Sequence, residues 1–441
     1  GSSMADWLSQ TFQSEFGWDH LETLVDIGNR MAGQSGEMQG LEATRDALAE
    51  AGARVARVER FDLQGWVRGE SSIETPETVE ESIALPRSPA GEVTAELVDL
   101  GAGLPEDFEA ADVEGKIVVA SSMVPEYFPR YIHRTEKYQY AVEGGAAAFV
   151  YANHVPGQLP PTGSVGGSDG SPIGDIPAVG VSSETGARLG RRFDGEEVTV
   201  NVDCETPDAE SGNAVAELGP DTEASVILSS HVDAHDIAEG ARDNGAGTAT
   251  IVEVARALAA REDELDTRVK CIAYGAEEVG LVGSELESEN TDLDAIKAIV
   301  NVDSNMGGRT LQLTTHRFDE LEAAADRVSE RFDHPISTVP QMVPHSDHWP
   351  FVRWGVPGYM VSSTSEERGR GWGHTAADTL DKLESRTLRE QSILLTELVV
   401  DVAGADVEIP HEDPETMAQY LKDEDQATGM KKTNGWPYDF E

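Results

Sequence analysis

Residues Val226 to Gly247 read VILSSHVDAHDIAEGARDNGAG, and the reading of this stretch decides the fold. Val226, Ile227 and Leu228 form a short apolar run of the kind a buried strand shows, and the run leads into His231 and Asp233. After a polar loop come Asp243, Gly245 and Gly247, where the glycines predict a sharp turn into a helix. Ile251, Val254, Ala255 and Leu258 recur at helical spacing and form its apolar face. In an open α/β sheet, ligands gather outside the carboxyl ends of the strands, so this strand, loop and helix deliver their polar side chains to the functional edge.

Two further runs repeat the pattern. VKCIAY, residues 269–274, ends in Gly275-Ala276-Glu277-Glu278, and AIVNV, residues 298–302, ends in Asp303. Later a glycine-rich segment carries Gly373-His374-Thr375-Ala376-Ala377-Asp378-Thr379. Together these residues offer two imidazoles and several carboxylates, a mixed nitrogen and oxygen set that suits zinc or a similar borderline divalent ion. Each residue also has a plainer reading. A lone histidine at a strand end is usually a hydrogen-bonded structural residue, Asp243 could cap the helix that follows, and Glu277-Glu278 could be a solvated acidic pair.

The ordered set His-x-Asp, Asp-Asn-Gly-x-Gly, Glu-Glu, Val-Asp and His-Thr-x-x-Asp-Thr resembles the zinc-dependent exopeptidase superfamily of the bacterial di-zinc aminopeptidases, carboxypeptidase Q and glutamate carboxypeptidase. The resemblance runs from about Gly28 to about Ala405, and the stretch from His231 to Asp236 with Gly240-Ala241-Arg242-Asp243 is most similar to the carboxypeptidase Q branch. It implies two zinc ions, with Co2+ or Mn2+ as substitutes: Asp243 bridging them, His231 and Asp303 completing one site, and Glu278 and His374 the other. Glu277 is then left off the metals as the general base, and Asp233 orients the His231 imidazole. Five motifs in family order argue against the plainer readings.

The resemblance also frames weaker candidates. The segment His345-Ser346-Asp347-His348 is similar to an element beside the site, with Asp347 expected to bond inner carboxylates and His345 and His348 either lining the pocket or packing. His235 and Asp236 carry less weight. His20, His133, His154, His316, His334 and His411 have no motif around them and read as surface or core. In the glutamate carboxypeptidase branch a tyrosine precedes the ligand histidine, whereas here Gly373 follows Trp372, which leaves the oxyanion donor open between Tyr359 and a backbone N–H.

The expected fold is α/β, with a mixed, mainly parallel central sheet flanked by helices. Residues 4–93 and 209–409 form the catalytic domain, 94–208 an insert and 410–441 a tail. The insert alternates short strands and turns around the helix-like KYQYAVEGGA, and its order resembles a protease-associated domain. Its loop from Pro156 to Pro177 either caps the active-site cleft or is plain solvent-exposed loop. Before the insert, Leu41, Thr44, Ala47, Leu48 and Ala51 predict a helix ended by Gly52, and Arg54 to Phe61 an edge strand. Gly1-Ser2-Ser3 reads as an expression remnant. The tail is polar until Trp436, Tyr438 and Phe440, which either dock on a neighbouring surface or fray.

Lys and Arg number 33 against 82 Asp and Glu, a formal charge of −49. Self-repulsion of that size destabilises a compact chain in dilute buffer, and salt near 1 M shortens its reach to about 3 Å. The excess therefore suggests a halophile's interior and argues against nucleic acid and anionic membranes as partners. Cys204 and Cys271 are too few for a disulfide framework, no apolar run approaches the roughly 20 residues of a bilayer span, and residues 4–30 lack a signal-peptide core, so a cytoplasmic enzyme is expected. The expected reaction is hydrolysis of terminal peptide bonds in short peptides, as an aminopeptidase ahead of a carboxypeptidase or dipeptidase. Its rivals are a single-zinc glutaminyl cyclase and a catalytically silent binding protein. Arg242, Arg353, Arg368 and Arg370 are the cations that would serve an α-carboxylate, and a homo-oligomer is left open.

Overall fold

The computed structural model describes residues 3–166, 171–365 and 371–440. Gly1 and Ser2, part of the Pro156 to Pro177 loop, and both Arg368 and Arg370 lie outside the described residues. The chain divides into two compact units: Gly1–Leu63, Glu210–Glu367 and Asp378–Tyr420 in the first, and Gln64–Ala209, Arg368–Ala377 and Leu421–Glu441 in the second.

The first unit is built on a mixed sheet of β1 (Arg54–Gln64), β2 (Asp208–Leu218), β3 (Ser225–His231), β4 (Arg268–Tyr274), β5 (Ile296–Val302), β6 (Leu311–Thr314), β7 (Ser337–Val339) and β8 (Gly358–Ser363). Their order across the sheet is β1-β2-β4-β3-β5-β8-β6-β7, which puts β1 at an edge as its sequence suggests. The central strands β4, β3, β5 and β8 run parallel. Such strands are covered on both faces, and that is why β3, β4 and β5 read as nearly continuous apolar runs.

Helices α1 (Phe16–Ile27), α2 (Ser35–Ala51), α3 (Gly247–Ala260), α4 (Val282–Glu289), α5 (Asp319–Phe332) and α6 (Ser385–Val402) flank this sheet. Leu21 and Val25 of α1, Ala249 of α3 and Leu388 of α6 share one core cluster, while Ile227, Ile272, Ile299 and Phe351 share another. Helix α2 ends as its sequence predicts, with Gly52 left-handed at φ 114.

The second unit is also sheet-based. Its strands, in spatial order, are Val79–Glu80, Val67–Glu74, Glu197–Glu205, Gly91–Asp99, Ile117–Ser121, Ala148–Ala152, Ala178–Val181 and Ile83–Ala84. Val118, Phe149, Tyr151 and Tyr138 form its core. As a compact unit it runs from Gln64 and takes in the chain after Tyr420. There Trp436, Tyr438 and Phe440 pack on one another, and Gly429 sits where a Cβ would stand 2.5 Å from Glu136 Oε1.

Candidate metal centre

Three adjacent parallel strands of the first unit end side by side, and each hands over an acid or an imidazole. His231 closes β3, Asp303 follows β5, and Glu277 and Glu278 follow β4 after a two-residue turn. His231 is fully buried, and its Nδ1 stands 2.9 Å from the carbonyl oxygen of Asp233, which leaves Nε2 facing inward. Around Nε2 stand Asp243 Oδ1 at 3.3 Å, Asp303 Oδ1 at 3.4 Å, Glu277 Oε2 at 3.5 Å and Glu278 Oε1 at 4.0 Å.

The loop after His231 turns at Gly240, whose φ of 60 favours glycine. Gly247 is already helical, so the expected turn at Gly245 and Gly247 is not where the left-handed backbone lies. Those two glycines serve close approach instead. A Cβ on Gly247 would stand 2.3 Å from Asn244 Oδ1 and 2.4 Å from the Val302 carbonyl, and one on Gly245 would stand 2.8 Å from Leu21. Asp243 is not the cap of helix α3, whose N-cap residue is Ala246. Asn244 instead ties two ligand-bearing segments together: Nδ2 donates to Val302 O at 2.9 Å, and Oδ1 accepts the N–H groups of Gly247 and Ser304.

Asp233 does something the sequence did not suggest. His231 Nδ1 stands 2.9 Å from the Asp233 carbonyl and 3.4 Å from Asp233 Oδ1, and the same carboxylate also accepts the backbone N–H of Glu277 at 3.0 Å and of Glu278 at 2.9 Å. Glu37, fully buried in the first turn of α2, accepts the N–H of Ala276 at 2.9 Å. Ala276 and Ser304 both adopt positive φ, 57 and 62, beside Glu277 and Asp303. That conformation costs a non-glycine residue about 1 kcal/mol, so the buried oxygens of Glu37 and Asn244 hold strained backbone in place.

Several minor candidates find definite places. His235, given little weight from sequence, has Nε2 at 2.8 Å from Glu278 Oε2. Asp347 is buried and accepts the Ser284 hydroxyl at 2.7 Å, and Ser346 donates to Asp303 Oδ2. His348 packs against His316 at 4.6 Å between ring centres, with Nε2 on Val343 O, and His345 is exposed. Tyr359 is not a ready oxyanion donor, because its hydroxyl donates to Leu321 O. The Asp378 carboxylate accepts the N–H groups of Arg242 and Asp243. His374 belongs to the second unit, where its carbonyl accepts the Thr162 N–H at 2.8 Å.

The charges of the first-unit group do not balance. Burial alone lowers the basicity of His231, yet Glu277 and Asp303 overcome it and hold the imidazole well above its ordinary pKa. Burial, with Glu278, Asp303 and Asp347 adding to it, raises Glu277 well above the carboxylate range. A buried excess of carboxylate is costly unless a cation compensates it. The spacing fits one: donors about 2.0–2.2 Å from a tetrahedral zinc stand about 3.3–3.6 Å from each other. His231 with Asp243 and Glu278, and His231 with Glu277 and Asp303, each offer three ligand atoms within 4.8 Å of one another. Distance does not separate Glu277 from the ligands.

Residues 213–399 match the family described as peptidase family M28, and residues 93–189 match the PA domain. The chain is 25% identical over 432 residues to aminopeptidase YwaD of Bacillus subtilis, covering 93% of this chain and 88% of that one. Among solved structures, the aminopeptidase from Aneurinibacillus sp. strain AM-1 aligns with a TM-score of 0.68 at 26% identity, over 92% of this chain and 96% of its own. A peptidase M28 precursor from Shewanella amazonensis shares the fold with a TM-score of 0.75 at 21% identity, over 92% and 98% of the two chains.

Proposed function

The chain belongs to peptidase family M28, with a PA domain set into it, and from that premise we propose a zinc-dependent aminopeptidase that removes amino-terminal residues from short peptides. The observation that carries the reading is His231 Nε2 facing three to four carboxylate oxygens at the spacing of zinc ligands. Zinc, when bound, lowers the pKa of water and polarises a peptide carbonyl.

The finer assignment is a proposal. Two ions would be held by His231, Asp243, Glu278, Asp303 and His374, with Asp243 as the residue able to serve both. His374 enters on the family resemblance alone. Glu277 holds the proton taken from water at its carboxylate and passes it to the departing amine, a transfer its place beside His231 supports. Asp233 sets the turn that carries Glu277 and Glu278.

Attack at the amino end is favoured over the carboxyl end by what Arg353 and Arg242, the two candidate cations among the described residues, are doing. Arg353 is paired with Glu285 at 2.7 Å, and Arg242 reaches toward Ser304 O while its guanidinium packs over Gly307. The first unit thus surrounds the group with acids, which suit an α-ammonium ion. The single-zinc cyclase and silent-binder alternatives are not favoured, since YwaD and the Aneurinibacillus protein, which each span most of this chain, are aminopeptidases. The charge of −49 supports a salt-rich setting, and two free thiols accord with a cytoplasmic one. No helix among the described residues is long and apolar enough to cross a membrane.

Aminoacyl chromogenic amides and amino-blocked dipeptides, assayed side by side in molar KCl with zinc, test the reading. Release from the free-amine amides alone is expected. Cleavage of the blocked dipeptides with no action on the amides would overturn it.

A further inference from the structure

We propose that Arg30, which lies outside every motif, is a positioning residue that braces the loop from His231 to Asp243 and so sets the affinity of this centre for zinc; the proposal rests on the metal reading above. Arg30 has no exposed surface. Its guanidinium donates from Nε to Val232 O at 3.0 Å, from Nη1 to Leu24 O at 3.0 Å and Glu239 O at 2.7 Å, and from Nη2 to Gly240 O at 3.0 Å. Its own carbonyl accepts the N–H of Ala234 at 3.1 Å. One side chain therefore grips both ends of the loop, one residue after His231 and three before Asp243, and anchors them to the last turn of α1.

The arrangement is costly without a purpose. All four guanidinium hydrogen bonds go to neutral carbonyls, and burying a cation without a direct counter-ion costs several kcal/mol. The compensation comes from further off, from Asp378, Asp233, Asp243 and Glu239. The positive charge is thus placed behind the same carboxylates that an ion would meet from the front. Gly240 shows how closely the parts fit: a Cβ there would stand 3.0 Å from Arg30 Nη2 and 2.3 Å from Ala234 Cβ.

Only a guanidinium meets four carbonyls spread along a planar fork, whereas an ammonium presents its three donors from one point. Arg30→Lys therefore keeps the charge and loses the brace, and Arg30→Met loses both. Zinc affinity, read by chelator competition, is expected to fall about 10–100-fold in Arg30→Lys and further in Arg30→Met, with kcat falling at limiting zinc and KM little changed at saturating zinc. Gly240→Ala displaces Nη2 without removing the charge, and it tests the same brace if an arginine variant does not fold. It is expected to weaken zinc about tenfold. Zinc affinity within twofold of the parent in any folded variant overturns the proposal and leaves the metal reading intact. A parent protein that binds no zinc overturns both.

Discussion

Asp233 Oδ2 accepts the backbone N–H of Glu278 at 2.9 Å, and its other oxygen takes the N–H of the preceding residue. One carboxylate thus fixes the turn after β4 that carries both glutamates. Asp233→Asn turns an acceptor into a donor facing an N–H, which leaves a buried clash of donors. We expect aminoacyl-amide turnover to fall about 10–100-fold with the fold retained. Steady-state kinetics beside circular dichroism checks it, and near-parental turnover would show that the turn does not need this carboxylate.

Glu277→Gln removes the proton-holding oxygen and changes no other part of the side chain. Turnover should drop about 10²–10⁴-fold while zinc content stays that of the parent. Metal analysis on the same sample makes the result decisive: lost zinc would make Glu277 a ligand, and near-normal turnover would remove it from the chemistry.

The fold and the residues at strand ends were legible because local signals carry them. Apolar runs mark β3, β4 and β5, and in an α/β sheet the acids and histidine at their ends have one edge to go to. The supports behind them were not legible. Arg30 bonds only to backbone carbonyls, which have no identity in a sequence, and Glu37 reads as a solvated acid in the first turn of a helix until tertiary packing buries it. Asp233 was legible only in part: its carbonyl and its Oδ1 both stand near His231 Nδ1, whereas the bonds its carboxylate makes to the turn after β4 join residues far apart in sequence. Gly247 carried the signature of a turn and proved to be a point of close contact.

His20 is buried beside Arg30, with Nε2 at 2.9 Å from Thr44 Oγ1, and burial followed by Arg30 depresses its pKa from 6.5 to about 4. The folded state therefore binds this proton less readily than the unfolded state. Stability from the neutral ring is fully present above pH 6.5 and is lost as pH falls through 4, by up to about 3 kcal/mol. His20→Gln keeps a partner for Thr44 and should flatten that part of the pH dependence in urea unfolding. A variant whose stability falls as steeply as the parent's over that window contradicts this account.

A chain with a net charge of −49 should gain stability as salt screens its repulsion. The screening length falls from about 10 Å at 0.1 M to about 3 Å at 1 M. The melting temperature is expected to rise steadily across that range of KCl. A flat or falling curve would remove the salt-rich setting and leave the chemistry untouched.

The central claim is that side chains from neighbouring strand ends of the first unit grip zinc, and anomalous diffraction at the zinc edge from crystals grown with the metal tests it most directly. The account predicts two peaks about 3.5–4 Å apart with Asp243 between them, one beside His231 and Asp303 and the other beside Glu278. A single peak, or none within reach of Asp243, would contradict it.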